Sequence, residues 1–265
     1  MSARLNKFIL FGDSVTQMSN DQEVGFGLHP ALQNLYARKV DIINRGYNGY
    51  SSDHAKVILP KILEAELNES KNNVKLITIF FGTNDVSQSD DKLAEVQAVP
   101  LDRYKENLDY MIKLSLKSNI KPIVITPGFH DAKLARELYK LYNRKVTVDN
   151  TDNLRQQLYA AAAVEVAKRN NVAYVNVFEE FLKDSKFPLD KLHASHSDTP
   201  DEDYISVHEY IRDGIHFTAK AYKILFAAVV KAINENYPEL NAESLPQQFT
   251  DWIDLDPKNV NSVLG

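Results

Sequence analysis

The stretch Lys-Phe-Ile-Leu-Phe-Gly-Asp-Ser, residues 7–14, joins a short apolar run directly to a polar turn. The run is rich in aromatic and branched side chains and lacks the polar alternation of a strand with one wet face. Such a run is typical of a strand that is buried on both faces of a parallel sheet. The turn that follows it carries Asp13 and Ser14, two side chains that can take part in chemistry.

Four more apolar runs follow along the chain, and segments of helical periodicity separate them. We predict strands at residues 7–11, 40–43, 74–81, 122–125 and 172–177, and helices at residues 28–38, 53–67, 101–117, 151–169 and 218–236. Three further stretches are predicted as loops, at residues 19–27, 87–100 and 186–210. Because parallel strands need long crossovers, this alternation predicts a three-layer α/β/α sandwich around a parallel five-stranded sheet.

The chain shows no internal repeat and no low-complexity linker, so we predict one domain over residues 1–237. Residues 238–265 are predicted to form a C-terminal extension, packed on the domain through Trp252 and Ile253 or on a partner subunit. The extension carries five acidic side chains against one lysine. We therefore name it as a candidate contact of a homodimer.

Composition excludes several classes of protein. The 265 residues contain no cysteine, which excludes disulfides, thiolate metal sites and a cysteine nucleophile. A net charge of −5 without a basic cluster argues against a nucleic-acid partner. No apolar run approaches the roughly 20 residues of a membrane span, and the N-terminus lacks the pattern of a signal peptide. We expect a cytoplasmic protein without a membrane span.

Glycine is used sparingly, and its placement points to a functional edge. The chain has nine glycines, where average usage would give about eighteen. Six of them follow predicted strands or precede the last predicted helix: Gly12, Gly46, Gly49, Gly82, Gly128 and Gly214. Because open parallel sheets bind ligands at the carboxyl ends of their strands, we expect the site at that edge.

Three side chains near these glycines suit nucleophilic catalysis. A serine hydroxyl such as that of Ser14 is a weak nucleophile that needs a base within hydrogen-bond reach. His216 can be that base, and Asp213, three residues earlier on the turn that opens the last helix, can hold its Nδ1–H. This arrangement predicts hydrolysis of an ester.

Ester hydrolysis passes through a tetrahedral intermediate whose oxyanion needs preorganised donors, each worth about 3–4 kcal/mol. Three donors follow three predicted strands: the Ser14 N–H, the Asn84 amide and a glycine N–H from the loop that holds Gly46 and Gly49. We expect Asp13 to cap the first turn and Asp85 to cap the helical turn after Asn84.

Other functions fit parts of the pattern. Ser14 alone would suit a helix cap or a phosphate-binding loop, but a glycine-rich loop with lysine is missing. His193 and His196 invite a metal site, but the segment lacks the glutamate of a zincin helix, and we predict a solvated acidic loop. We therefore expect no metal and no cofactor. A non-catalytic binding module that uses the same strand ends is the alternative from another class.

The blocks together resemble those of the SGNH, or GDSL-type, hydrolases. Gly12-Asp13-Ser14 is similar to their first block, Gly82-x-Asn84-Asp85 to their third and Asp213-x-x-His216 to their fifth. Their second block usually has a glycine five residues past an asparagine, which selects Gly49 over Gly46. The resemblance spans residues 7 to about 237. It implies a flavodoxin-like sheet and a serine esterase without a cofactor.

Within that family the chain looks like the fungal isoamyl acetate-hydrolysing esterases, in the Arg45-Gly46-Tyr47-x-Gly49-Tyr50 loop, Pro127-Gly128 and Asp251-Trp252. This likeness implies that small acetate esters of medium-chain alcohols are hydrolysed through an acyl-enzyme. A lysophospholipase, thioesterase or carbohydrate deacetylase is the nearest alternative. Candidate side chains for the substrate pocket are Tyr47, Tyr50, Phe26 and Phe129. Alanines stand at positions 219 and 221 where such sequences commonly have glycine, and the 186–210 loop looks long.

Overall fold

Five parallel strands form one sheet in the computed structural model, which describes residues 6–67, 73–88, 92–141 and 151–264. The strands are β1 Asn6–Gly12, β2 Val40–Gly46, β3 Val74–Phe80, β4 Lys121–Ile125 and β5 Ala173–Val175. Their order across the sheet is β2-β1-β3-β4-β5, and each neighbouring pair is parallel. The order reverses at β1 and β3, which is where such sheets bind ligands. The predicted flavodoxin-like arrangement is confirmed.

Ten α-helices complete the described part of the chain. They are α1 Ser14–Gln17, α2 Leu28–Leu35, α3 Ser52–Glu66, α4 Lys92–Gln97, α5 Leu101–Lys117, α6 Ala132–Leu141, α7 Asn153–Arg169, α8 Val177–Ser185, α9 Leu189–Ala194 and α10 Ala219–Asn236. All five predicted helices are present, with ends shifted by up to three residues.

Alternate residues of β1 point into two separate cores, one on each face of the sheet. Phe8 and Leu10 pack with side chains of α2, α8 and α10. Ile9 and Phe11 pack with side chains of α3, α5 and α7. A strand that is apolar on both faces needs such cover on both sides, so the three layers follow from the pattern of β1.

Several short helices were not predicted. Helix α4 lies within the expected 87–100 loop and α9 within the expected 186–210 loop. Strand β5 ends at Val175, because Asn176 caps α8 by accepting the Glu179 N–H at 3.2 Å. Helix α6 was not predicted either. Helices of six to ten residues show too few turns for their apolar spacing to stand out in a sequence.

The C-terminal segment 238–264 runs over the end of α2. The Tyr36 hydroxyl donates to the Leu240 carbonyl at 2.9 Å, and the Arg38 guanidinium donates to the carbonyls of Phe249 and Thr250. The expected packing through Trp252 and Ile253 is wrong, because these side chains are 78% and 72% exposed. Hydrogen bonds to backbone carbonyls attach this stretch, while Leu240 enters the core. The boundary at residue 237 stays a prediction.

Within the described ranges, no helix combines the length and the apolar character needed to cross a membrane.

Candidate active site

Ser14 lies at the start of a short helix that follows the central strand β1. Asp13 is the N-cap of that helix, and its side-chain Oδ1 accepts the Val15 N–H at 2.9 Å, as expected. Ser14 is 2% exposed and is the first residue of α1. The first N–H groups of a helix have no acceptor within it. The Ser14 N–H is therefore available to a group bound at the end of β1.

The start of α1 packs tightly against the end of β2. Gly12 and Gly46 are register partners in the β1–β2 pair. A Cβ atom on Gly46 would lie 2.0 Å from the Gln17 nitrogen, so only glycine fits beneath this helix. The side-chain amide of Asn44 on β2 stabilises this packing of α1 on β2 by donating to the Thr16 carbonyl at 3.0 Å. These contacts position Ser14 relative to the sheet.

Asp213 and His216 lie in a loop that a short antiparallel bridge between Ile211 and Phe217 closes. The expected placement on the turn that opens the last helix is wrong, because Thr218 is the N-cap and α10 begins at Ala219. The Asp213 carboxylate shapes the loop itself. Its Oδ1 accepts the backbone N–H of Ile215 at 3.1 Å and of His216 at 2.8 Å.

The imidazole of His216 joins Asp213 to Ser14. Its Nδ1 lies 2.7 Å from Asp213 Oδ2, and its Nε2 lies 3.0 Å from Ser14 Oγ. An ionised carboxylate can only accept, so Nδ1 carries a proton. Nε2 therefore faces the hydroxyl, and in the neutral form of the ring its lone pair can accept the hydroxyl proton. Burial raises the pKa of Asp213, but hydrogen bonds and the charge of His216 outweigh it and lower that pKa to about 2.

Asn84 follows β3 and contacts the loop after β2. Its Nδ2 donates to the Tyr50 carbonyl at 2.8 Å, and its side chain is largely buried. That loop contains a turn in which the Tyr50 N–H donates to the Tyr47 carbonyl at 3.1 Å. Gly49 is the third residue of the turn and has φ +77, a conformation that favours glycine. The strand ends of β1, β2 and β3 thus bring Ser14, Gly49 and Asn84 to one edge.

The two candidate glycine donors differ in their hydrogen bonds. The Gly46 N–H already donates to Asn44 Oδ1 at 2.9 Å. Gly49 stands beyond the end of β2, in the turn that contacts Asn84. This difference favours Gly49 over Gly46 as the oxyanion donor, in agreement with its position five residues after Asn44.

Two acidic side chains are buried below the Ser14 turn. Asp85 does not cap the turn after Asn84 as expected: both its oxygens accept the Ser52 N–H at the start of α3, at 3.0 and 3.2 Å. Burial raises the pKa of Asp85 to about 7. Burial, with the nearby charge of Asp85, raises the pKa of Asp13 to about 8. These groups brace the loops of the site from within the core.

The four candidate pocket residues lie in different places. The rings of Tyr47 and Tyr50 stack at 5.4 Å in the loop after β2, and Tyr50 is 37% exposed. Phe129 is buried in the core among the rings of Phe178, Phe181, Phe187 and Tyr210. Phe26 is half-buried against Phe226 of α10. The structure therefore places the two tyrosines at the edge that holds Ser14, and Phe129 away from any surface.

Some residues that organise the site carry no sequence signal. The buried carboxylate of Asp131 accepts from Tyr204 Oη and the Val207 N–H, while its own N–H donates to the Gly214 carbonyl. Asp131 thereby ties the 186–210 segment to the loop of Asp213. A second such residue is Gln97, whose amide contacts both the Gly49 turn and Asn84. Neither belongs to a motif, so only their neighbours in space identify them.

Over the parts of the chain that the structure covers, no three His, Asp or Glu side chains cluster closely enough to hold an ion.

Comparison with known proteins gives consistent results. Residues 8–229 match the model of the GDSL-like lipase/acylhydrolase family. The isoamyl acetate-hydrolyzing esterase of Saccharomyces cerevisiae is 30% identical, over 97% of this chain and 98% of its own. The human isoamyl acetate-hydrolyzing esterase 1 homolog is 29% identical, over 98% of this chain and 92% of its own.

Solved structures agree on the fold. An acetylxylan esterase from Geobacillus stearothermophilus superposes with a TM-score of 0.60 at 16% identity, covering 86% of this chain and 94% of the other. An alpha/beta hydrolase enzyme from the metagenome of Lake Arreo gives a TM-score of 0.58 at 20% identity, with the same coverage.

Proposed function

The chain belongs to the GDSL-like lipase/acylhydrolase family and is a carboxylic ester hydrolase, and from that premise we propose a serine esterase that works through an acyl-enzyme. One observation carries the proposal: the Ser14 hydroxyl, the His216 imidazole and the Asp213 carboxylate form a continuous hydrogen-bonded chain. A purely ligand-binding module would not need a serine, a base and an orienting carboxylate in this order.

Acylation begins at Ser14 Oγ. As Oγ attacks the carbonyl carbon of the ester, His216 Nε2 takes the hydroxyl proton, and the imidazolium that forms is stabilised by Asp213. The tetrahedral intermediate then collapses, the bond to the alcohol oxygen breaks, and Nε2 returns the proton to the leaving alkoxide. An alcohol departs and the acyl group stays on Ser14.

Deacylation repeats these steps with water. Nε2 removes a proton from the water as its oxygen attacks the acyl carbon, and it returns that proton to Ser14 Oγ when the ester bond to the enzyme breaks. The products are a carboxylic acid and the free enzyme. The depressed pKa of Asp213, about 2, keeps its carboxylate ionised throughout.

Three donors serve the oxyanion in this proposal: the N–H of Ser14, the N–H of Gly49 and the Nδ2–H of Asn84. They come from the ends of three adjacent strands, with β1 between β2 and β3. Each such donor is worth about 3–4 kcal/mol of transition-state stabilisation when it is held in place before the reaction.

For the substrate we propose short-chain acyl esters, such as acetates of medium-chain alcohols. The support is the activity named for relatives at about 30% identity over nearly the full chain and the stacked rings of Tyr47 and Tyr50, in the loop whose Tyr50 carbonyl accepts from Asn84. The nearest alternatives are a lysophospholipase, a thioesterase or a carbohydrate deacetylase. A series of nitrophenyl esters from acetyl to decanoyl separates them: we expect kcat/KM to fall beyond short chains, whereas a maximum at long chains would favour a lysophospholipase.

The test of the mechanism is rapid-mixing kinetics with nitrophenyl acetate on the wild type and on Ser14→Ala. We expect a wild-type burst of one nitrophenolate per chain if deacylation is slow, and a loss of at least about 10³-fold in kcat for the variant. A Ser14→Ala protein that is folded and as active as the wild type would rule the proposal out.

A further inference from the structure

The side-chain amide of Gln97 joins two loops of the candidate oxyanion hole. Its Nε2 donates to the Gly49 carbonyl at 3.1 Å and to Asn84 Oδ1 at 3.3 Å. Gln97 is half-buried at the end of α4, and the chain just beyond it is anchored: the Val99 N–H donates to the Asp85 carbonyl at 3.0 Å. One side chain therefore spans the ends of β2 and β3.

Two backbone carbonyls decide how the amides of Gln97 and Asn84 are oriented. The Gly49 carbonyl can only accept, so Gln97 must face it with its NH₂ group. The same NH₂ group then requires an acceptor on Asn84, which must present Oδ1. The Tyr50 carbonyl takes one N–H of Asn84 Nδ2. Among the described residues no other acceptor takes the second N–H of that nitrogen, and in this proposal it faces the oxyanion.

The Gly49 peptide is held from both sides as well. Gln17 of α1 accepts the Asn48 N–H through Oε1 at 2.8 Å, and Gln97 holds the Gly49 carbonyl. The peptide between these two points carries the Gly49 N–H. Because its neighbours on either side are fixed, the direction of this N–H is fixed relative to α1, which begins at Ser14.

We propose that Gln97 is a positioning residue of the oxyanion hole: it orients the Asn84 amide and fixes the Gly49 turn without contacting the substrate. The inference rests on the proposed function, because it takes Gly49 and Asn84 as oxyanion donors. Its consequence is specific to the transition state. If Gln97 is lost, the N–H of Gly49 and the amide of Asn84 are less well oriented. This reduces the stabilisation of the oxyanion in the transition state more than it reduces the binding of the neutral ester.

The test compares four variants with the wild type. Gln97→Met keeps the length of the side chain but removes the donor, and Gln97→Glu replaces the donor with an acceptor that faces two other acceptors. Val96→Ala is the matched control, since Val96 is 61% exposed on the same helix. Asn84→Ala removes one proposed donor directly. Thermal unfolding of each protein checks that it is folded.

With nitrophenyl acetate we expect kcat to fall about 10- to 100-fold in both Gln97 variants. This loss is smaller than the fall in kcat of about 10²- to 10³-fold that follows the removal of an oxyanion donor itself. The KM is expected to change less than about threefold, and Val96→Ala to stay within about twofold of the wild type. A second substrate, the thionoester in which sulfur replaces the carbonyl oxygen, gives the specific readout. Sulfur is a weak acceptor, so its hydrolysis depends less on oxyanion donors.

The ratio of kcat/KM for the ester over the thionoester should therefore drop in Gln97→Met and in Asn84→Ala. A loss of folded protein would lower both rates equally and leave the ratio unchanged. If Asn84→Ala lowers the ratio but Gln97→Met keeps the wild-type kcat and ratio, the inference on Gln97 is wrong and the serine esterase stands. Wild-type activity in Ser14→Ala would instead overturn the proposed function.

Discussion

His216 Nε2 lies 3.0 Å from Ser14 Oγ, although 202 positions separate the two residues in the chain. Ser14 is placed by the end of the central strand β1, and His216 by the loop that leads into α10. The two meet because α10 packs on the face of the sheet that holds Phe8 and Leu10 of β1. The contact is therefore a product of the layer arrangement, and the predictions below test the groups that maintain it.

Replacing Asp213 separates its charge from its role in shaping the loop. Asp213→Asn keeps an oxygen for the N–H groups of Ile215 and His216, but its NH₂ group would favour the wrong tautomer of the imidazole. We expect kcat to fall about 10³- to 10⁴-fold and stability to fall less than in Asp213→Ala, because the loop keeps its acceptor and loses only the charge that the low pKa of Asp213 shows to be stabilised. Asp213→Ala should lose as much activity and also about 1–3 kcal/mol of stability, because two N–H groups lose their acceptor. Equal stability of the two variants in denaturant titrations would contradict this assignment.

The buried Asp13 should make stability fall as the pH rises. Its folded-state pKa is raised from 3.8 to about 8, so the folded protein binds a proton that the unfolded chain releases. The stabilising contribution is complete below about pH 4 and is lost as the pH rises through about 8. Asp13→Asn keeps an acceptor for the Val15 N–H and cannot ionise. We expect the fall in melting temperature between pH 5 and 9 to be smaller in this variant.

The control for that experiment is Asp41→Asn, since Asp41 lies on the strand at the sheet edge and is not fully buried. It should show the wild-type dependence on pH. A parallel shift of the whole curve in Asp13→Asn, with its slope unchanged, would show that Asp13 is ionised in the folded protein at neutral pH.

A methyl group on Gly46 should disrupt the packing of α1 against the end of β2. Its Cβ would lie 2.0 Å from the Gln17 nitrogen and 2.4 Å from the Gln17 Cα, and backbone atoms cannot move aside as a flexible side chain can. We expect Gly46→Ala to cost about 3 kcal/mol or more in unfolding free energy and to lower activity through Ser14. Gly25→Ala is the comparison, because its Cβ would meet only Ala219 Cβ at 3.6 Å. In that variant the unfolding free energy should fall only by the strain of an alanine at positive φ, about 1–2 kcal/mol.

The C-terminal segment offers a test of the expected homodimer. Deleting residues 246–265 removes the exposed Trp252 and Ile253 but keeps Leu240, which is buried beside Tyr36. If the segment forms the contact, the full chain should sediment as a dimer and the shortened chain as a monomer, both with esterase activity. An identical oligomeric state for the two chains would remove the segment from the interface.

Much of the fold could be predicted from local patterns. The doubly apolar runs and the periodic segments identify all five strands and five helices to within three residues, because burial on both faces leaves a continuous signal. The strand expected at 172–177 is shorter, since Asn176 already caps α8. Helix α4 lies in a stretch that was expected to be a loop and was not predicted. Gln97, the residue of α4 that joins the Gly49 turn to Asn84, was therefore not identified from the sequence.

The sequence by itself determined the layers, the strand ends and the identity of Ser14, Asn84, Asp213 and His216 as candidates, because apolar periodicity and short motifs are local properties of the chain. Tertiary structure alone decided which groups meet. Asp85 bonds to Ser52 at the start of α3, Phe129 enters the core, and Gln97 reaches two strand ends. The physical reason is that a side-chain hydrogen bond depends on the distance between folded elements, and packing of the whole sheet sets that distance.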